Sequence, residues 1–202
     1  MAKPSWLSIN PSTGSGNGTI SNTASAHTGR VQRSGTVTVT GNGVSTPVTY
    51  KVTQEAKAEF AQFSNGPEMA APKSAGKVTV TGKSNSSKLT FSFVGDSKEV
   101  ELPAKYTAAG AEVDNGTAIT GDPGASAEFN FSLELELPLN DTIEEVERTV
   151  SVTANGGQAA QIVIKQAAGD ARLSVEPTEI TIPQDGSAVS VEVSSNTSWT
   201  VA

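Results

Sequence analysis

The sequence predicts an all-β protein in tandem sandwiches, one complete and one split between the two ends of the chain, and three observations carry this. Short alternating segments rich in Val, Thr and Ser are punctuated by 19 glycines and 10 prolines, the composition that short strands and tight turns require. The chain also repeats itself: TVTVTGNGVSTPVTYKVTQEA from Thr36 reads against TVSVTANGGQAAQIVIKQAA from Thr149, with Gln54 opposite Gln166. A second echo sets KVTVTGKSNSS from Lys77 against AVSVEVSSNTS from Ala188. The offsets, 112 between the glutamines and 111 between Asn85 and Asn196, share one phase. A period of that length suits a single sandwich. The first copy therefore lacks its beginning and the last its end, which gives three segments: 1–56, the second half of a module; 57–169, a complete sandwich; and 170–202, the first half of a module.

Trp6 to Ile9 makes a short apolar strand, closed by the turn formers PSTGSGNG. A second strand is expected over Thr19 to Ser25. From Arg33 to Thr40 the residues alternate, Val37 and Val39 on one face and threonines on the other. Gly41-Asn42-Gly43 supplies the hairpin turn, because Gly and Asn tolerate positive φ. The return strand points Val48, Tyr50 and Val52 inward and ends at Gln54. The central segment opens with a strand over Glu59 to Ser64 and a proline-containing loop. Strands follow over Lys77 to Thr81, Leu89 to Val94, Glu99 to Tyr106, Ala111 to Ile119 and Ala127 to Leu137. In the last, Phe129, Phe131, Leu133, Leu135 and Leu137 share a face. Asp141 to Glu147 reads as one helical turn capped by Asp141, and Asn155-Gly156-Gly157 turns the closing hairpin. The tail alternates three times: Leu173 and Val175, Ile180 and Ile182, then Val189, Val191 and Val193, ending near Trp199. Such a tail presents a face that has to be buried.

Composition narrows function. A net charge of −7 leaves no basic surface for phosphates, so neither nucleic acid nor an anionic membrane is an expected partner. With no cysteine there is no disulfide, thiolate metal site or thiol nucleophile. The start MAKPSWLSINPSTGSG has no apolar h-region and no lipobox cysteine, so a secretory or lipoprotein leader is not expected in it.

Chemical candidates reduce to structural ones. The single histidine, His27, lies in a polar stretch without partners at defined spacing and reads as a surface-loop residue. Glu134 and Glu136 fall on the solvent face of a strand, not in a cleft where a carboxylate pair would cleave a glycoside. Asp114-Asn115-Gly116 and Gly121-Asp122-Pro123-Gly124 lack the alternating oxygens of a calcium loop and read as turns. The glycine-rich Gly14 to Gly18 has no following Lys or helix to make a phosphate cradle. No nucleophile, base and orienting acid can be assembled, so no enzyme activity and no cofactor is expected.

Both ends of the chain resemble the BACON family, small immunoglobulin-like modules named as Bacteroidetes-associated, often carbohydrate-binding and frequently in tandem. The first half of the family pattern stands as Leu173-Ser174-Val175-Glu176-Pro177 through Asn196-Thr197-Ser198-Trp199. Its second half stands as Trp6-Leu7-Ser8-Ile9-Asn10-Pro11-Ser12-Thr13-Gly14, Arg33-Ser34-Gly35-Thr36-Val37 and Val52-Thr53-Gln54-Glu55-Ala56. The central segment keeps only the last hairpin and Gln166. In pattern order the tail precedes the head, and together they have the size of one module. The resemblance implies tandem immunoglobulin-like sandwiches and tryptophans that act as core anchors rather than sugar platforms.

The expected function is a non-enzymatic structural protein that links neighbouring copies by strand complementation. Its donor strands carry Leu173, Val175, Ile180, Ile182, Val189, Val191, Val193 and Trp199; its acceptor half carries Trp6, Ile9, Val37, Val39, Val48, Tyr50 and Val52. Completion in trans, completion within one chain and independent folding of the pieces all stay open at this point. Because modules of this family occur on phages as well as on their hosts, the resemblance implies a capsid decoration (auxiliary) protein on the virion of a tailed, crAss-like phage. Its partners there would be other copies, a major capsid protein, and surface glycans or mucin met through Trp6 and Tyr50. The alternative is a carbohydrate-binding module of a secreted or cell-surface bacterial protein.

Overall fold

The computed structural model describes residues 3–202, and nearly all its regular structure is strand. Two sheets pack face to face over the central segment. The first holds β5 (Ala61–Phe63), β7 (Gly76–Ser84), β9 (Lys105–Ala108), β10 (Ala111–Asp114) and β11 (Phe129–Leu137), in the order β10-β9-β11-β7-β5. The second holds β6 (Glu68–Ala71), β8 (Leu89–Val94), β12 (Val146–Ala154) and β13 (Ala159–Gln166), in the order β6-β13-β12-β8. Within them β6 runs parallel to β13, while every other pairing is antiparallel. The two inner faces supply the core: Val78, Val80, Phe131, Leu133 and Leu135 meet Leu89, Phe91, Val150, Val152, Ile162 and Ile164, all buried. Phe131 lies edge-on to Phe63 at 5.9 Å and to Phe91 at 5.6 Å between ring centroids, the arrangement that matches ring edge to ring face.

The remaining strands form three separate two-stranded ribbons. Before the sandwich, β1 (Leu7–Asn10) pairs with β2 (Ser21–Ala24), and β3 (Arg33–Val39) pairs with β4 (Val48–Gln54). After it, β14 (Leu173–Glu176) pairs with β15 (Glu192–Ser195).

Several local expectations are corrected. The loop after Ser64 contains β6, whose sequence EMAA has no strand propensity and which exists because β13 offers it an open edge. The strand expected from Glu99 begins only at Lys105, because Lys98 and Glu99 take positive φ and Pro103 follows; the next ends at Asp114 rather than Ile119. No helical turn forms over 141–147. The Asn140 side chain accepts from the Thr142 amide at 3.2 Å and donates to Glu144 O at 2.8 Å, so a side-chain turn replaces the helix. The one short 3-10 helix among the described residues lies instead at Pro123–Ala125. In the tail, Ile180 and Ile182 belong to no strand, and the strand expected over Val189 to Val193 begins only at Glu192, leaving Val189 and Val191 outside it.

Candidate assembly surface

Two ribbons at opposite ends of the chain expose the apolar faces that the sequence marks as inward. In the tail Leu173 is 58% exposed, Ile182 63% and Trp199 49%; Val175, Ile180, Val189 and Val191 are also exposed, and Val193 is half-buried. In the head Val37 is buried, Trp6, Ile9, Tyr50 and Val52 are half-buried, and Val39 and Val48 are open, Val48 at 68%. Of the tail set only Leu173, Val175 and Val193 lie on β14 and β15, whose face no second sheet covers; Ile180, Ile182, Val189, Val191 and Trp199 lie outside the strands and are open to solvent. The hydrogen bonds and ion pairs of the tail run to the central unit, through Lys73, Asp141 and their neighbours, and none among the described residues reaches the head.

The repeat holds at the level of strand register. In the central sandwich Ala61 faces Ser84, Gln62 faces Lys83 and Phe63 faces Gly82. At the same offset Leu173 faces Ser195, Ser174 faces Ser194 and Val175 faces Val193. The tail ribbon is thus the counterpart of the β5–β7 pair. What it lacks is everything that flanks that pair: β11 beside β7 and the β13 edge on which β6 lies. The head holds those counterparts. Arg33 Nε donates to Gln54 Oε1 at 2.9 Å, and Gln54 Nε2 donates to Ser25 O at 2.8 Å. In the sandwich Arg148 Nη1 donates to Gln166 Oε1 at 2.9 Å and Gln166 Nε2 to Pro138 O at 2.7 Å. Hence β4 corresponds to β13 and β2 to β11. The far side of β4 carries no strand, whereas β13 carries β6.

The aromatic candidates for sugar contact are partly engaged. The Arg33 guanidinium sits 4.8 Å from the centroid of Trp6, a cation–π contact that occupies one face of the indole. Tyr50 donates its hydroxyl to Asn22 Oδ1 at 2.9 Å. Leu7, absent from the apolar positions singled out by alternation, is the most buried side chain of the head. Other signals missed in the sequence are Asn85 and Asn196, visible there only as letters in the repeated SNSS and SNTS.

Head and central unit meet through a built junction. Arg30 Nη1 donates to Asp122 Oδ1 at 2.6 Å within a two-point ion pair. That hydrogen bond holds the Asp122 carboxyl below its usual range, against a smaller opposing effect of burial, and raises the Arg30 guanidinium. Arg148 is lowered instead, chiefly by burial. No group of three or more His, Cys, Asp or Glu side chains that could hold a metal occurs among the described residues. His27 Nε2 donates to Val31 O at 2.8 Å. Glu134 lies on the outer face of its strand, paired with Lys77 at 2.6 Å, and Asn115 closes a turn on the backbone of Phe91. Among the described residues no helix is long and apolar enough to cross a membrane.

The molecule is therefore an all-β protein with one packed sandwich flanked, among the described residues, by three two-stranded ribbons. Residues 1–55, the head with β1 to β4, match the BACON family model, described as "Putative binding domain, N-terminal"; the head is a BACON-type segment. A comparison with curated proteins finds no match. Among solved structures, a Bacteroides ovatus GH5 xyloglucanase in complex with a XXXG heptasaccharide aligns at 14% identity and a TM-score of 0.31. The alignment covers 54% of this chain and 19% of that one, a likeness too loose to carry an argument.

Proposed function

We propose that this chain is a non-enzymatic assembly protein of tandem immunoglobulin-like modules, in which the tail of one copy completes the head of another. The observation that carries the reading is the register match: the tail ribbon reproduces the β5–β7 pair yet stands without the strands that bury β5 and β7, and the head has counterparts of those strands. The parallel pairing of β6 with β13 transfers directly. It sets Lys51 opposite Glu179, Val52 opposite Ile180, Thr53 opposite Thr181 and Gln54 opposite Ile182. Ile180 and Ile182 then take the inward places of Met69 and Ala71. This is strand addition to an open sheet edge: backbone hydrogen bonds give affinity and alternate side chains give register. The strand order of the sandwich, with its parallel β6 beside β13, supports the immunoglobulin-like assignment. The matched family is described as a binding domain without a named ligand; the ligand proposed here is a second copy.

A mixing experiment tests this. Ile180→Lys with Val189→Lys disables the tail, and Val39→Lys with Val48→Glu disables the head while leaving opposite charges across a facing strand pair. All four positions are exposed in the single chain, so neither variant is expected to lose its fold. Each alone is expected to run as a monomer in light scattering, and an equimolar mixture as a one-to-one dimer. A mixture that stays monomeric sinks the reading.

A further inference from the structure

The junction between head and central unit recurs, part for part, between central unit and tail. At the first, Asn85 Nδ2 donates to Thr28 O at 3.2 Å and Ala58 O at 3.1 Å, while Asn85 Oδ1 accepts from the Phe60 amide at 2.9 Å. At the second, Asn196 Nδ2 donates to Asp141 O at 2.6 Å and Asp170 O at 2.8 Å, while its Oδ1 accepts from the Arg172 amide at 2.8 Å. The Lys57 amide donates to Gly29 O, as the Gly169 amide does to Thr142 O. Ser84 Oγ donates to Phe60 O and Ser195 Oγ to Arg172 O. His27 and Asn140 bridge to Val31 O and Glu144 O, each at 2.8 Å. All of these partners are 111 to 113 positions apart.

One element of the first junction has no counterpart at the second among the described residues. The turn at Asp122–Ala125 accepts the amides of Arg30 and Val31 on Gly124 O and Ala125 O, and Asp122 pairs with Arg30. Its sequence, Asp122-Pro123-Gly124-Ala125, corresponds to Asn10-Pro11-Ser12-Thr13 of the head. At the tail junction the place of Arg30 falls to Ile143, which is exposed. A head laid against the tail in the transferred register brings its Asn10–Thr13 segment to that place.

Head and tail also leave the central sandwich at opposite ends. The first junction gathers at Ser84–Ser86 and the start of β11; the second gathers at Lys73, Asn140 and the end of β13. Nine-residue strands such as β7 and β11 separate these ends by about 30 Å.

We propose that copies join head to tail through this one repeated junction, and that the product is an open string with a constant screw rather than a closed pair. The inference rests on the strand-donation reading. A module completed from one copy's tail and the next copy's head receives one neighbour at the Asn196 end and releases the other at the opposite end, as the central unit does. Head and tail leave the central unit at opposite ends, so each junction extends the assembly along its length and the contact is heterologous. Closing a pair would require two central units and two completed modules to bend back on themselves, whereas an open string requires no such bend.

The chain has no cysteine, so Thr53→Cys with Thr181→Cys in the 202-residue chain reports on the junction directly. Both sites are exposed, and they face each other in the transferred register, within disulfide reach. Under mild oxidation, non-reducing electrophoresis is expected to give a ladder of three, four and more copies that lengthens with protein concentration. A product that stops at two copies overturns the open string and leaves strand donation standing. Monomer alone, with or without an internal disulfide, overturns both.

Discussion

Gln54 and Gln166 occupy equivalent places in the repeat but different surroundings. Gln166 is fully buried and joins the Arg148 guanidinium to Pro138 O, while Arg148 also holds Ser97 O and Lys98 O. Gln54 makes the same two kinds of bond at a half-open edge. A buried partner left without its hydrogen bond costs far more than the bond itself contributes. Replacing Gln166 with Leu strands a guanidinium donor and a carbonyl in the core, and is expected to cost about 2–3 kcal/mol. The same change at Gln54 leaves its partners open to water and is expected to cost under about 1 kcal/mol in dilute solution. Urea unfolding of the two variants, compared at equal low concentration, checks the contrast.

Among the elements, the head-to-centre connection is the one whose electrostatics are legible. Arg30 keeps the Asp122 carboxyl below its ordinary range, so the pair stabilises the junction at neutral pH and that contribution is lost as pH falls through the lowered value. With Asp122 42% exposed, solvent screening limits the pair to about 0.5 kcal/mol. Proteolysis of the segment around residues 25–32 is expected to speed up in the wild type as the pH falls below the ordinary carboxylate range. Asp122→Asn is expected to cleave at the faster rate already at pH 7. The sequence made the long strands readable: the alternation of FNFSLELEL and the paired hairpins ending at Gln54 and Gln166 both appear in the structure. It hid β6, because EMAA is a strand only by virtue of its neighbour. It hid the break at Lys98–Glu99, because positive φ at charged residues leaves no compositional trace. Asn85 and Asn196 were visible as a repeat, but their role depends on three carbonyls converging from distant segments. A virion and a cell surface were equally illegible, since apolar patterning records burial and not address.

Taken whole, the molecule combines a unit that has finished packing with two that have not, and the two should melt differently. The central sandwich carries its own core of phenylalanine, leucine, valine and isoleucine side chains, so its unfolding midpoint is expected to be independent of protein concentration. The head and tail ribbons bury little on their own, and whatever binds only the folded form stabilises it in proportion to its occupancy. One-site linkage gives about 2.7 kcal/mol at a hundredfold excess over Kd. Differential scanning calorimetry on the full chain is therefore expected to resolve two transitions, the lower rising with concentration and the upper fixed. In the Ile180→Lys, Val189→Lys variant the lower transition is expected to stop moving while the upper keeps its midpoint. If both transitions rise together with concentration, the three segments unfold as one unit coupled to association. If neither moves over a hundredfold range, the halves do not find one another between copies, and the tail's face is covered within its own chain or not at all.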